Sequence, residues 1–183
     1  PFCFYIKITT RGGTKYGKSK YYKEIFIEFI GDSITDMCFL DEYYSDLDLA
    51  VYNRGIGADT TKGVLERLKV SAFDIEPSKI VLMIGANDVN FGVPYEETVS
   101  NYRKILDEIK KNQPEVELYV MSITPQNKKI EESGDCDAAT NNDIIESLNL
   151  EIEMLCVEYG YTYIVGICQD VMRFAKNPSF IDE

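Results

Sequence analysis

Lys79-Ile80-Val81-Leu82-Met83-Ile84 is a nearly unbroken apolar run closed by Gly85, and it restricts the folds open to this chain. A strand with one wet face alternates apolar and polar residues, whereas one covered on both faces has no need to. The run predicts a strand in the middle of a parallel sheet. The rest of the chain, from residue 24 onward, supplies the partners. Strands are expected over Glu24–Ile30, Asp48–Tyr52, Glu117–Ile123 and Tyr161–Val165. Between them, Val64, Leu65 and Leu68 mark a helix over 60–70. Tyr95, Val99, Tyr102, Leu106 and Ile109 mark a second, from Pro94 to about Lys111, and Ile145, Leu148, Ile152, Leu155 and Tyr159 a third that stops at Gly160. A short helix over 169–176 precedes Pro178.

Strand and helix thus alternate about five times, so the fold class is α/β: a flavodoxin-like three-layer α/β/α sandwich around a central parallel sheet of about five strands. At 183 residues one such domain is expected, over 24–183. Residues 1–23 stand outside the alternation. They carry Lys7, Arg11, Lys15, Lys18, Lys20 and Lys23 and no acid, with Gly12-Gly13 and Gly17 among them. They read as a basic arm or the remnant of a preceding module, with a strand over Phe2–Thr10. The polar stretch 124–139 reads as a long loop.

The chain has 19 basic and 31 acidic residues, a net charge of −12. That balance repels phosphate backbones and argues against nucleic acid as a partner. No apolar run reaches the roughly 20 residues that span a bilayer and no leader is visible, so no membrane association is expected and the location expected is cytoplasmic. Five cysteines, an odd number, show no metal-ligand spacing, and histidine is absent. They read as free, packed thiols in a reducing compartment, and neither metal nor organic cofactor is implied.

In open parallel sheets the ligand site lies beyond the carboxyl ends of the strands. Three polar turns fall at such ends: Gly31-Asp32-Ser33, Asn53-Arg54-Gly55-Ile56-Gly57-Ala58-Asp59, and Gly85-Ala86-Asn87-Asp88. Each alone is ordinary turn chemistry. In this order and spacing, from about Glu24 to Tyr163, they resemble the GDSL or SGNH hydrolase family. The resemblance implies a serine esterase acting on small-molecule acyl esters, with Ser33 as nucleophile, Asn87 as side-chain donor to the oxyanion and the Ser33 N–H as a second donor. Such donors stabilise the developing charge by about 3 kcal/mol each. Asp32 and Asp88 are expected to support the loops by accepting backbone N–H groups.

The second turn departs from the family pattern. The usual donor glycine falls on Ala58, while Gly57 fills a position often held by serine, so the third donor is open between Gly57 and Ala58. If the position needs a positive φ, Ala58 strains the turn. A larger departure is the base. The family places Asp-x-x-His near its C-terminus, where the histidine deprotonates the serine. This sequence has no histidine and ends at Asp182-Glu183, which reads as truncation ahead of that block and leaves the 183 residues nearly inactive.

Two other readings stay open. One is a catalytically silent binding module or pseudoenzyme of the same fold. The other is a flavodoxin-like phosphate binder with Ser33 and Thr35 at a helix start, against which stand the charge of Asp32 and the missing G-x-x-x-x-G-K-[ST] signature. Tyr43, Tyr44, Phe91 and Tyr95 are candidates for an acyl or sugar pocket or for plain core packing. Arg54 reads as a salt-bridged loop arginine before a substrate contact.

Overall fold

The computed structural model describes residues 26–40, 44, 50–126 and 138–166. Residues 1–25, the greater part of the 124–139 loop and the helix expected over 169–176 lie outside that set. Within it, five strands alternate with helices: β1 (Phe26–Gly31), α1 (Ser33–Asp36), β2 (Ala50–Gly55), α2 (Thr61–Leu68), β3 (Lys79–Met83), α3 (Ala86–Asn90), α4 (Tyr95–Asn112), β4 (Glu117–Met121), α5 (Ala138–Tyr159) and β5 (Thr162–Ile164). All pairings are parallel, in the order β2-β1-β3-β4-β5. This is the flavodoxin-like α/β arrangement expected from the alternation, with the continuous apolar run as its central strand.

Side-chain alternation divides the core in two. Ile30 of β1, Ile80 and Leu82 of β3 and Leu118 and Val120 of β4 face one way, against Val64 and Leu68 of α2, Tyr102, Ile105 and Leu106 of α4, and Ile145, Leu148 and Ile152 of α5. Ile27, Phe29, Val81, Met83 and Met121 face the other way, against Leu40 and Tyr44, with Ile34 of α1 packed beside them. At roughly 1.5–3 kcal/mol for each large side chain removed from water, this burial holds the strand ends, and the turns leaving them, in fixed positions.

Several boundaries differ from expectation. Strand β2 does not stop at Tyr52. Asn53, Arg54 and Gly55 pair with Phe29, Ile30 and Gly31, because the parallel register with β1 continues to supply partners for polar residues. Helix α2 ends at Leu68 and widens into a π-type turn over Lys69–Phe73. The short helices α1 and α3 form where the sequence reads only as polar turns. Helix α5 ends at Gly160 in a left-handed conformation, φ +76, as its position predicted. The expectation of five free thiols is corrected at Cys38, which is disulfide-bonded. Cys156 is a buried free thiol.

Candidate active site

The three polar turns leave the carboxyl ends of β1, β2 and β3, which are neighbours in the sheet. At the first, Asp32 caps α1 with its side chain, Oδ1 accepting from the Ile34 N–H at 2.9 Å, so Ser33 becomes the first helical residue. Gly31 is required just before it, since a Cβ there would stand 2.1 Å from Thr35 Oγ1 and 2.4 Å from the Met83 carbonyl. Asn53 closes the other end of α1. Its Nδ2 donates to the carbonyls of Thr35 at 2.7 Å and Cys38 at 3.1 Å, adding a long-range donor to oxygens that also accept from the Cys38 and Leu40 N–H groups.

The second turn centres on Asp59. Its N–H donates to the Ile56 carbonyl at 3.2 Å, which closes a β-turn over Ile56-Gly57-Ala58-Asp59. Ala58 has φ +62, whereas Gly57 is not among the positive-φ glycines, the pattern of a type II turn. The left-handed residue is therefore an alanine, and the glycine stands one position early. Within the described residues, neither the Gly57 nor the Ala58 N–H has a hydrogen-bond acceptor, and both residues are exposed. The Asp59 carboxylate accepts from Thr60 N–H at 3.0 Å and from Arg67 Nε at 2.7 Å. Gly63 makes room for it, because a Cβ at that position would lie 1.8 Å from Asp59 Oδ1.

In the third turn, Asn87 donates from Nδ2 to the Asp59 carbonyl at 2.9 Å. A primary amide carries two N–H groups; the bond to Asp59 fixes the plane of the side chain and leaves one for a ligand. Asp88 is 1% exposed and accepts from both the backbone N–H and the hydroxyl of Thr61. Asn101 donates to that same hydroxyl at 3.2 Å. Arg67 ties the set to β1, since its third nitrogen donates to the Gly31 carbonyl at 3.1 Å. Ser33, Gly57, Ala58 and Asn87 are thus mounted on three turns cross-linked by Asp59, Asp88, Thr61 and Arg67.

Electrostatically the cluster is acidic. Burial pushes the Asp32 carboxyl above the usual carboxylate range, and the nearby charges of Asp59 and Asp88 add to that, against the Ile34 bond. Burial likewise raises Asp88, with its bonds to Thr61 pulling the other way. Glu28 is also raised by burial, despite the Arg54 guanidinium at 3.3 Å. Its Oε2 has no partner among the described residues. Arg54 is therefore ion-paired with the sheet rather than free over the site.

Of the aromatic candidates, Tyr44 packs in the core with its ring 5.7 Å from that of Phe29, and Tyr95 leans on the other core cluster. Phe91 stands in solvent, and Tyr43 lies outside the described residues. Beneath α1 a cavity of about 10 Å³ is lined by Phe29, Ile34, Thr35, Cys38, Val81, Met83 and Met121. It is large enough for one water at most. The sequence places Asp59 in the second turn without a role and does not mark Thr61, Arg67 or Asn101 as its partners in the site. The available signal was an arginine beside the apolar stripe of α2, where a charge at a half-buried position calls for a partner.

Comparison with known proteins decides the family: residues 29–175 match the model of the GDSL-like lipase/acylhydrolase family. The chain belongs to that family. It is 30% identical over 159 residues to the platelet-activating factor acetylhydrolase IB subunit alpha2 of Rattus norvegicus, covering 83% of this chain and 69% of that one. A solved Streptococcus pneumoniae protein, provisionally assigned as a platelet activating factor, is 30% identical with a TM-score of 0.69, over 78% of this chain and 66% of the other. The acetylxylan esterase Axe2 of Geobacillus stearothermophilus shares the fold, at 20% identity and a TM-score of 0.62, over 76% of this chain and 75% of that one. The chain thus spans about two thirds of the length of the first two relatives. Among the described residues no helix is long and apolar enough to cross a membrane, and no group of acidic, cysteine or histidine side chains is arranged to hold a metal.

Proposed function

We propose that this chain carries the nucleophile and oxyanion-hole portion of a serine esterase that cleaves small acyl esters through an acyl-enzyme on Ser33. The observation that carries the reading is the Asn87–Asp59 hydrogen bond. It fixes the plane of an uncharged amide and leaves one N–H unspent, on a turn that follows the strand next to the one leading to Ser33, and the Gly57 and Ala58 N–H groups of the second turn are likewise unengaged among the described residues. Ester cleavage needs that pairing of a hydroxyl with preorganised donors. Ser33 Oγ attacks the carbonyl carbon while its proton passes to a base. The carbonyl oxygen, now negative, takes hydrogen bonds from Asn87 Nδ2, from the Ser33 N–H and from the Gly57–Ala58 turn, each worth about 3 kcal/mol in the transition state. Collapse expels the alcohol and leaves the acyl group on Ser33, from which water removes it.

These 183 residues contain no histidine, so an imidazole base has to come from outside them. Loss of the base from a serine triad costs up to about a millionfold in turnover. A binding module without hydrolysis is the second reading. Intact mass spectrometry with a fluorophosphonate separates the two. The esterase reading expects slow, single labelling mapped to Ser33, acceleration by added imidazole, and no adduct on Ser33→Ala. An unlabelled Ser33 at saturating imidazole refutes it and leaves the binding module.

A further inference from the structure

Helix α5 is apolar on two opposite sides. Ile145, Leu148, Ile152, Leu155 and Cys156 are buried in the core, whereas Leu150 is 60% exposed, Met154 58% and Val157 77%. A lone exposed apolar residue is ordinary. These three recur at i, i+4 and i+7, so they form one stripe on the side of the helix away from its core face. Steps of four and three are those of a coiled-coil seam, with Leu150 at d, Met154 at a and Val157 at d. In that frame the buried Ile152 falls at f, opposite the seam. The e and g positions that flank the seam are all glutamates: Glu146, Glu151, Glu153 and Glu158. The helix holds one further acid, Asp143, and no lysine or arginine. Glu158 is ion-paired with Arg103 of α4 at 2.7 Å, and Glu146 has an interaction within the chain. The charge left for a partner beside the seam is therefore that of Glu151 and Glu153.

We infer that the outer face of α5 is a docking seam for one helix of a separate protein, a helix with apolar residues at its a and d positions and lysine or arginine at e and g. Charge selects that occupant. A second copy of this chain, in either orientation, would set glutamate against glutamate along both edges of the seam, whereas a basic helix pairs with them. Nucleic acid and anionic lipid surfaces are repelled by the same carboxylates. The seam is one heptad long, shorter than the three or four heptads of a free-standing coiled coil. Packing against the core already fixes α5, so only the partner has a helix to order on binding.

The test uses three synthetic peptides of three heptads each. One has leucine at a and d and lysine at e and g, the second has glutamate in place of those lysines, and the third has the composition of the first in scrambled order. Binding to the 183-residue protein is followed by fluorescence anisotropy and by the methyl resonances of Leu150, Met154 and Val157. The lysine peptide should bind about tenfold or more tightly than either of the others and shift those methyls. Met154→Ser, at an exposed position, should weaken it about five- to thirtyfold while melting like the parent. Glu151→Lys combined with Glu153→Lys should transfer the preference to the glutamate peptide. Equal binding of the scrambled peptide, an unchanged affinity in Met154→Ser or an unreversed preference overturns the seam. Two further results overturn it by naming another occupant. A parent dimer that Met154→Ser dissociates puts a second copy on the face, and lysine-peptide binding that appears only when the six basic residues of 1–23 are changed to glutamine puts the chain's own basic arm there.

Discussion

Exchanging Gly57 and Ala58 should stabilise the protein. Ala58 sits at φ +62, where the Cβ of an L-residue costs roughly 1–2 kcal/mol. Ala58→Gly removes that cost and adds about 0.4–1 kcal/mol of unfolded-chain entropy, a net gain of about 0.5–1 kcal/mol. Gly57 is not in the left-handed region, and a Cβ added there meets nothing within 4 Å. Gly57→Ala should therefore stabilise by about 0.4–1 kcal/mol through the unfolded state alone. The double variant should gain about 1–2 kcal/mol, or roughly 2–8 °C in Tm at about 2–4 °C per kcal/mol for a chain of this size. Urea denaturation with a common m-value is the assay. If Ala58→Gly lowers the midpoint, or Gly57→Ala costs more than about 1 kcal/mol, the turn assigned to Ile56–Asp59 is wrong. The identification of Ala58 as the turn's left-handed residue then goes with it.

Arg67→Lys keeps the charge but cannot hold Asp59, Ser71 and the Gly31 carbonyl together. It should cost about 2–3 kcal/mol in thermal or urea unfolding and slow Ser33 labelling at saturating imidazole; an unchanged labelling rate would confine Arg67 to stability. Asn87→Ala should lower the imidazole-supported labelling rate by about 10²–10³ with little change in Tm, and an equal loss of Tm would make it a structural residue. Asp32, Asp88 and Glu28 have raised folded values. Their contributions are most favourable at acid pH and are lost as pH rises through those values, so Tm should climb as pH falls from 7 toward about 5. Asp32→Asn, which retains a capping oxygen, should flatten that climb, whereas a Tm that falls steadily with acidification contradicts the assignment. Arg54→Ala should destabilise by about 1–3 kcal/mol at pH 7 and by progressively less as the pH is lowered and Glu28, whose carboxyl burial raises, takes up a proton. An equal loss at every pH would mean the pair contributes through packing alone.

The sheet was legible because its strands differ chemically from everything around them. The apolar run closed by Gly85 could only be covered on both faces, and it is the middle strand. Residues 53–55 were harder. Asn, Arg and Gly read as a turn, yet β1 offers them parallel partners, and tertiary pairing outweighs weak strand propensity. The short helices α1 and α3 were invisible for a related reason. A single turn has no hydrophobic period to detect, and what fixes α1 is the Asp32 cap together with Asn53 from eighteen residues away. Ser33, Asn87 and the Gly57–Ala58 turn are proposed as site residues from their order along the chain. The residues that align them were missed because their reason for being there is three-dimensional. Arg67 reads as the polar edge of an amphipathic helix until the Asp59 carboxylate and the Gly31 carbonyl are seen on either side of it.

The same network commits the acids that surround the three turns. Asp32 commits a carboxylate oxygen to the Ile34 N–H, Asp59 accepts from Thr60 and Arg67, and Asp88 accepts twice from Thr61. Each bond favours the ionised acceptor and is weakened when the carboxyl takes a proton. On the proposed esterase reading, any of these carboxylates that took the serine proton would have to loosen one of the turns proposed to hold the oxyanion donors, at the moment those donors are most needed. The acids serve alignment, and alignment and proton transfer compete for the same lone pairs. An external imidazole escapes that conflict because it is no part of the scaffold. Its concentration should accordingly change the rate of Ser33 labelling without changing the protein's Tm, and parallel changes in both would show that it binds the fold instead of relieving the serine of its proton.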